Sequence, residues 1–434
     1  MDVNAFRLAL SAELERDILP FWLQRMFDPA QGWYGRMTGR GELVTDAPRG
    51  AVLNARLLWT FSAAWRLTGR PVYRAAALHA YREIRDRFVD RKCGGVYWSL
   101  DASGAPLDAK KQFYAIAFAV YGIAEYYRAG GDRKALALAE RLWRDIEAHS
   151  FDGDGYLEAC TRDWQPIADM RLSDKDRNDA KTMNTHLHIL EGYTALYRVW
   201  PDEGLRQRLT GLVEIFLERI VRPDGHLGLF FDENWISRSE MVSYGHDIEA
   251  SWLLEEAAAL LGDAPLMART TEACRRIASA ALEGWRSGEG MIYEYDPATG
   301  RRDADRHWWV QAETVVGCWN RFQRDADPLW AQRALDTWEF IRTNLLCPDG
   351  EWYWSVRADG TPNLDDDRAG FWKCPYHNGR MCMEILERAR QKSCEKSTPE
   401  WIQNMKKGMR PFTKEELEAD DRLAYILSKG AGNE

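Results

Sequence analysis

The stretch SYGHDIEASWLL, from Ser243 to Leu254, predicts the first turns of a helix in a chain whose apolar spacing is mostly helical. His246 and Glu249 are three residues apart, so they share one face of that helix, where the carboxylate can orient the imidazole and tune its pKa. A histidine supported in this way has the make-up of a general base. A histidine that only fills the core would show the same local pattern, so the surrounding chain must separate the two interpretations.

Glycines followed by aromatic or aliphatic residues recur at six near-equally spaced positions along the chain. Successive periods measure 63, 60, 70, 65 and 60 residues. The six glycines are Gly32, Gly95, Gly155, Gly225, Gly290 and Gly350. Repetition at this length indicates one supersecondary unit that is used six times.

Helical periodicity fills the space between these glycines. The apolar helices are predicted over 53–67, 113–127, 185–199, 246–261, 310–322 and 382–389. Most are followed by a second, more charged helix, for example over 71–88 or 203–220. Because an apolar helix belongs inside and a polar helix outside, the pattern predicts an all-α protein. Its architecture would be an (α/α)6 barrel with short β-hairpins and loops that form a cleft at one end.

Two regions follow from this pattern. Residues 1–390 are expected to form the barrel as a catalytic domain. Residues 391–434 lie beyond the sixth repeat and are strongly charged, with Thr413 placed to cap a helix over 414–427. They predict a C-terminal extension that is helical or partly disordered.

The composition excludes several classes of protein. The net charge is −9 and no basic block offsets it, so neither a nucleic acid nor a membrane surface is an expected partner. The N-terminal segment lacks the basic start and apolar core of a signal peptide, and no run reaches the length of a membrane span. Eight cysteines without a paired spacing predict reduced thiols. We therefore expect a cytoplasmic protein that is a monomer or a weak homodimer.

The 20 tryptophans are the outlier of the composition. Most are expected to fill the core. Those beside polar residues are candidates to stack on the flat apolar faces of sugars, which makes a small sugar the expected partner.

The starts of the six inner helices should point into the cleft. The residues at these positions are Arg56, Tyr114, His188, His246, Trp309 and His377. His186 and His188 are two residues apart, so they face different sides of a helix and make a poor chelating pair. His188 is the better cleft candidate because its spacing to Glu191 repeats the histidine–glutamate spacing of the first stretch. His186 would then have a structural role.

Burial of a polar side chain would cost free energy at two further positions, Arg56 and His377, so each is a candidate for a functional role. Arg56 stands on an apolar helix, where a buried guanidinium needs an anionic or polar partner. It could face a developing oxyanion, or it could form a structural salt bridge. The stretch FWKCPYHNGR, 371–380, places His377 in a segment too polar for plain core, although a histidine that caps a helix is the alternative.

Three histidines, an arginine and several aromatic residues around one cleft predict proton transfer on a neutral polar substrate. Histidines on opposite sides of a barrel could serve opposite faces of one carbon, as epimerisation requires. A zinc site built from His188, His246 and His377 is conceivable, but HExxH and paired-cysteine signatures are absent, and so are nucleotide and GxSxG motifs. We therefore expect no metal and no cofactor.

Several long motifs resemble the cellobiose 2-epimerases of the N-acylglucosamine 2-epimerase superfamily. In chain order they are NARLLWTFS (54–62), KQFYAIAFAVYGIAEYY (111–127), MNTHLHILEGYTALYRVW (183–200), YGHDIEASWLL (244–254), WWVQAETVVG (308–317) and WKCPYHNGR (372–380). The resemblance runs from about residue 20 to residue 390 and covers all six repeats. It implies the same barrel and a metal-free, cofactor-free 2-epimerisation at the reducing-end glucose of a β-1,4-linked disaccharide.

The resemblance also implies a mechanism and a set of site residues. The sugar ring opens, one histidine removes the C2 proton to give a cis-enediolate, and rotation about C2–C3 lets a second histidine reprotonate the other face. By motif, His246 and His377 are the acid/base pair, His188 acts in ring opening, and Arg56 holds substrate oxygens. The remaining matched positions, which would bind the substrate, are Tyr114, Asp176, Asn184, Glu249, Trp309, Glu313 and Trp372.

Other activities remain open at the level of sequence. An epimerase for mannobiose, mannose or an N-acylglucosamine would use the same enediolate, and so would an aldose–ketose isomerase. An inverting glycoside hydrolase would need two separated carboxylates, for which Glu249 and Glu313 could be proposed. A catalytically silent sugar-binding protein would tolerate the loss of His246 and His377, yet both are present.

Overall fold

The computed structural model describes residues 3–29, 31–174, 176–391 and 424, and helices dominate these ranges. The α-helices are α1 (Val3–Glu13), α2 (Leu19–Arg25), α3 (Ala51–Thr68), α4 (Pro71–Glu83), α5 (Phe113–Gly130), α6 (Arg133–His149), α7 (Met183–Val199), α8 (Glu203–Ile215), α9 (Tyr244–Leu261), α10 (Ala264–Ala281), α11 (Trp308–Asp325), α12 (Pro328–Asn344) and α13 (His377–Gln391). Single π-helical turns at Leu14–Ile18, Ile84–Phe88 and Phe216–Ile220 extend α1, α4 and α8, and a 3-10 turn at Leu282–Gly284 extends α10.

Six helices form a closed inner ring. Helices α3, α5, α7, α9, α11 and α13 each pack against the next, and α13 returns to α3. The sequence of α3 shows why it lies inside, because every residue from Ala51 to Ala64 is buried. Helices α4, α6, α8, α10 and α12 each pack on the inner helix that precedes them. The predicted (α/α)6 barrel is confirmed.

The N-terminal segment supplies the sixth outer helix. Helix α1 and the turn Leu14–Ile18 pack against α13, so the first and last described helices meet. Two buried tryptophans hold this junction. The indole of Trp352 donates a hydrogen bond to Glu13 (2.7 Å), and that of Trp22 donates one to Glu351 (2.7 Å).

Tight turns join each inner helix to its outer partner. Inner helices α3, α5 and α9 end at glycines with left-handed backbone, Gly69 (φ 71°), Gly131 (φ 71°) and Gly262 (φ 69°). The next residues, Asp132 and Asp263, are the N-caps of the outer helices α6 and α10, and their side chains accept backbone N–H groups. All longer connections are therefore at the other end of the barrel.

Short strands occupy those longer connections. The two-stranded antiparallel pairs are Phe27–Asp28 with Gly32–Trp33, Arg36–Met37 with Leu43–Val44, Lys111–Gln112 with Ala159–Cys160, Lys181–Thr182 with Phe230–Phe231, Trp285–Arg286 with Gly290–Met291, and Arg306–His307 with Ser355–Val356. The three-stranded sheets are Arg49–Gly50, Ser99–Leu100 and Pro106–Asp108, and Val242–Ser243, Glu294–Asp296 and Arg301–Asp303.

These ladders hold the starts of the inner helices together. The strand Lys181–Thr182, directly before α7, pairs with Phe230–Phe231 from the following repeat, and the strands before α5, α9 and α11 do the same. A bridge between Met37 and Ala369 joins the first and last repeats. The band of strands thus gathers the N-terminal ends of the inner helices around one cleft.

Glycines allow neighbouring inner helices to approach closely. A Cβ added to Gly122 on α5 would lie 2.6 Å from the backbone oxygen of Ala55 on α3. The same relation repeats one helix further, where a Cβ on Gly192 of α7 would lie 2.8 Å from the backbone oxygen of Ala117 on α5. These contacts set the spacing of the ring.

Five of the predicted inner helices start within two residues of the observed ones, but the sixth does not. It begins at His377 rather than at 382, because its first turn is polar and its side chains serve the site. The predicted extension 391–434, with its helix over 414–427, lies outside the described residues apart from 391 and 424. Among the described helices, none is long and apolar enough to span a membrane. The seven described cysteines are free thiols.

Candidate active site

The first turns of the inner helices bring the predicted polar residues together. Arg56 on α3 contacts Tyr114 on α5, whose ring lies 5.0 Å from that of His188 on α7. On the other side, the ring of Trp309 on α11 lies 4.8 Å from His246 and 5.6 Å from His377. The six positions predicted from the helix starts therefore lie close together, and a cleft lined by them stays a prediction.

His377 is oriented by a carboxylate. Its Nδ1 lies 2.8 Å from Oε1 of Glu313, and both side chains are buried. An ionised carboxylate only accepts hydrogen bonds, so Nδ1 carries the proton and Nε2 keeps a free lone pair. Burial, followed by the charges of Arg56 and Arg380, holds the pKa of His377 well below its ordinary value. The imidazole is therefore neutral and can accept a proton at Nε2.

His188 has the same type of support. Its Nδ1 lies 2.9 Å from Oε2 of Glu191, three residues later on α7. Burial lowers the pKa of His188 despite that carboxylate. The histidine–glutamate spacing seen in the sequence thus corresponds to a real contact on this helix.

His246 is supported differently from the prediction. Its Nδ1 lies 2.8 Å from the hydroxyl of Ser243, and Glu249 does not orient it. The prediction was wrong because Glu249 turns to the guanidinium of Arg380, 2.5 Å away, which attracts a carboxylate more strongly than a neutral imidazole does. Burial of the imidazole, followed by the charge of His188, lowers the pKa of His246 to about 3.

Arg56 is buried without a carboxylate partner among the described residues. Its guanidinium donates to the hydroxyl of Tyr114 (2.9 Å) and to the backbone oxygen of Trp372 (3.1 Å), and it lies 4.3 Å from the ring centre of Phe118. The structural salt bridge considered for this residue is absent from that region. A positive charge held by neutral partners remains available to an anionic group.

Sequence reasoning missed the centre of the network. Arg380 is fully buried and binds Glu191, Glu249 and Glu313 together. Its position three residues after His377 on one helix face, and that of Glu191 three after His188, were the available signals. Two of these carboxylates also accept a histidine proton, Glu191 from His188 and Glu313 from His377.

The remaining predicted substrate contacts lie at the edge of this network. Asn184 is in the first turn of α7, and its Oδ1 is buried without a hydrogen-bond partner. Asp176 is in the loop before α7 and accepts hydrogen bonds from the backbone and hydroxyl of Ser173 (2.9 and 2.8 Å). The ring of Trp372 lies 6.0 Å from that of Tyr114.

His186 lies outside the cleft network. Its Nδ1 lies 2.7 Å from the backbone oxygen of Thr182, and Nε2 accepts the backbone N–H of Tyr156 at 3.0 Å. Both ring nitrogens are thus used by the backbone. This is the arrangement expected of a structural histidine.

The three histidines do not form a metal-binding group in the described part of the chain. The donor atoms that do lie within 4.8 Å of one another belong to Glu249, Glu313 and His377, and separately to Asp303, Asp305 and His307. In the first group, the guanidinium of Arg380 already supplies the cation.

The amino-acid sequence is similar to those of known epimerases. The family model of N-acylglucosamine 2-epimerase (GlcNAc 2-epimerase) matches residues 32–379. A cellobiose 2-epimerase from Bacteroides fragilis is 57% identical over 382 residues, covering 87% of this chain and 97% of that protein. One from Ruminococcus albus is 39% identical, with the same coverage of 87% and 97%.

Solved structures give the same result. Cellobiose 2-epimerase from Bacillus thermoamylovorans superposes with a TM-score of 0.84 at 38% identity, over 89% of this chain and all of that one (100%). A family 76 α-mannanase from Bacteroides thetaiotaomicron shares the fold alone, with a TM-score of 0.58 and 10% identity over 91% of this chain and 98% of that one. The chain therefore belongs to the N-acylglucosamine 2-epimerase family, on its cellobiose 2-epimerase branch.

Proposed function

We propose that this protein is a sugar 2-epimerase that interconverts the reducing-end glucose and mannose of β-1,4-linked disaccharides such as cellobiose. One observation carries the proposal. The rings of His246 and His377 both lie near that of Trp309, at 4.8 and 5.6 Å, and both imidazoles are neutral because of burial. Two neutral bases beside one aromatic platform suit proton transfer at two faces of one carbon.

We assign opening of the sugar ring to His188, with Arg56 and Tyr114 beside it. A proton must leave the anomeric hydroxyl while another reaches the ring oxygen. His188 can accept at Nε2 because Glu191 binds Nδ1. Arg56 and the hydroxyl of Tyr114 lie beside it and would hold the sugar oxygens.

Epimerisation then uses the histidine pair. One histidine takes the proton from C2, and the electron pair moves into a cis-enediolate whose negative oxygen faces Arg56. After rotation about C2–C3, the second histidine returns a proton to the opposite face. That histidine must take up a second proton from solvent before this step, which the negative charge of the enediolate favours, and the first histidine returns the C2 proton to solvent afterwards.

The hydrolase alternative fits the geometry poorly. An inverting hydrolase separates its two carboxylates by roughly 6.5–9.5 Å so that a water fits between them. Carboxylate oxygens of Glu249 and Glu313 lie within 4.8 Å of each other, and both bind Arg380. This spacing leaves no room for the water of an inverting hydrolase, and Glu313 instead orients His377.

Incubation with cellobiose in heavy water tests the function. We expect NMR to show a reducing-end mannose with deuterium at C2. A ketose product would identify an aldose–ketose isomerase instead, and free glucose would identify a hydrolase. Turnover of mannobiose, mannose or an N-acylglucosamine but not of cellobiose would move the substrate assignment within the family. No reaction with any of these sugars would overturn the proposal.

We further propose a cytoplasmic protein that is a monomer or a weak homodimer. Light scattering across a concentration series tests the assembly. A dimer that persists at the lowest concentration would contradict it.

A further inference from the structure

Three glutamates from three inner helices converge on one guanidinium. Nη2 of Arg380 lies 2.5 Å from Oε1 of Glu249 on α9 and 2.7 Å from Oε1 of Glu313 on α11, while Nη1 binds Oε1 of Glu191 on α7. The guanidinium is fully buried and lies 4.8 Å from the ring centre of Trp252. A single cation thus serves three buried carboxylates.

Two of the three carboxylates, those of Glu191 and Glu313, also accept a hydrogen bond from a histidine through a particular oxygen. Glu191 uses Oε1 for Arg380 and Tyr376, so Oε2 remains for Nδ1 of His188 at 2.9 Å. Glu313 uses Oε2 for the indole of Trp252 (3.0 Å), and its Oε1 accepts from both Arg380 and Nδ1 of His377 (2.8 Å).

We propose that Arg380 is a positioning residue that fixes the tautomers of His188 and His377. By binding and orienting Glu191 and Glu313, it directs the proton of each imidazole to Nδ1 and leaves Nε2 as the free ring nitrogen. The tautomer assignment stands on geometry alone, while its catalytic consequence rests on the proposed epimerase function.

Removal of Arg380 would take away the positive charge that the three carboxylates share. Burial by itself would raise the pKa of Glu191, but Arg380, followed by the hydrogen bond from His188, outweighs burial and holds that pKa below its ordinary value. Three carboxylates without this cation would repel one another in a low dielectric and take up protons. A protonated Glu191 or Glu313 can donate to Nδ1, which moves the imidazole proton to Nε2 and removes the base.

Glu249 already shows this tendency. Burial and the neighbouring charge of Glu313 raise its pKa to about 8, although Arg380 binds it. The titratable and charged groups that surround the cluster come from all six inner helices: Arg56, Tyr114, Tyr121, His188, Glu191, His246, Glu249, Glu313, Tyr376 and His377. Arg56 is a cation in this set, but it bonds to Tyr114 and Trp372 instead of a carboxylate.

Nitrogen NMR of the substrate-free protein tests the tautomers directly. With 15N-labelled histidine, and with signals assigned by loss in His188→Gln and His377→Gln, we expect both imidazoles protonated at Nδ1. In Arg380→Met, which keeps a long unbranched side chain without charge, we expect Nε2–H or mixed forms. Unchanged signals in Arg380→Met would overturn the inference, and this readout needs no turnover.

Arg321→Met is the matched control. Arg321 is another fully buried arginine, on α11, and it pairs with Glu255. Its loss should lower thermal stability without changing either histidine signal. If it shifts the His188 and His377 signals as Arg380→Met does, the effect belongs to any buried arginine and the inference fails.

Kinetics separate positioning from folding. In Arg380→Met we expect the acid limb of kcat/KM for cellobiose to move up by about one pH unit or more, because the carboxylates ionise only at higher pH. An equal loss of rate at every pH with unchanged tautomers would indicate a purely structural role. If wild-type protein does not turn over cellobiose, the proposed function fails while the tautomer result still stands.

Arg380→Lys keeps the test decisive if the methionine variant does not fold. Lysine retains the charge but is a point donor that cannot bridge three carboxylates as the planar guanidinium does. We expect a shift of the same sign and smaller size. Wild-type tautomers and a wild-type pH profile in Arg380→Lys would show that charge alone suffices and would overturn the bridging role.

Discussion

At the scale of single residues, burial sets the protonation of the cleft histidines. It is the largest cause of the lowered pKa in His188, His246 and His377. A neutral imidazole at rest can accept the C2 proton, and the negative charge of the enediolate then favours uptake of a solvent proton by the second histidine. The histidines can therefore be acids only while the enediolate exists.

Removal of either member of the pair should stop the reaction. We expect His246→Ala and His377→Ala each to lower kcat on cellobiose by about a thousandfold, within the range of general acid–base catalysis. NMR of the reducing-end sugar measures the loss. An active His377→Ala would eliminate the two-histidine mechanism.

His186 provides the control on the same helix as His188. Because both of its ring nitrogens bond to the backbone, His186→Ala should cost about 1–3 kcal/mol of unfolding free energy and leave turnover of the folded protein intact. Thermal denaturation with parallel assays distinguishes the two effects. A folded but inactive variant would place His186 in the site.

The lowered pKa values predict the pH dependence. A histidine whose pKa is lowered stays neutral as the pH falls, and it is lost as a base only when the pH reaches the shifted value. The acid limb of kcat/KM should therefore lie below the ordinary histidine pKa of about 6.5. A pH–rate series within the stable range tests this, and a limb at the ordinary value would contradict the neutral resting state.

At the scale of elements, close contact between inner helices controls the width of the ring. Gly122 and Gly192 stand where one inner helix meets the backbone of its neighbour. The hydrophobic period predicted these helices well, because an inner helix is apolar on almost every side. The start of α13 could not be predicted in this way, since His377 and Arg380 are polar and yet buried.

Alanine at Gly122 should push α3 and α5 apart. We expect Gly122→Ala to lower the unfolding free energy by about 1–3 kcal/mol, as overpacking does. Gly211 on the outer helix α8 has open space around it, so Gly211→Ala should instead stabilise the protein by about 0.5–1 kcal/mol. Urea denaturation compares them, and equal effects would contradict close packing at Gly122.

At the scale of the whole molecule, the cleft depends on a closed ring. The repeat period predicted six units, but it could not show that the N-terminal helices complete the last one, because that contact joins residues more than three hundred positions apart. The convergence on Arg380 was hidden for the same reason. Its partners come from α7, α9 and α11, and only ring closure brings them to α13.

Truncation at the N-terminal end should be damaging, whereas truncation at the C-terminal end should leave activity unchanged. Removal of residues 1–25 takes away the helices that pack on α13, so we expect loss of soluble, active protein. Removal of residues 392–434 leaves every described cleft residue in place, and kcat and KM for cellobiose should not change. Size exclusion and activity assays test both, and an inactive but folded C-terminal truncation would assign a function to the extension.

The junction between α1 and α13 has a consequence for biosynthesis. A chain that leaves the ribosome from its N-terminus exposes the apolar face of α1 until nearly 400 residues have been made, because its partner α13 is the last inner helix. Since translation proceeds at about 5–20 residues per second, that face is uncovered for tens of seconds. We therefore expect the nascent protein to bind chaperones before the ring closes, and closure of the ring to be a late folding step.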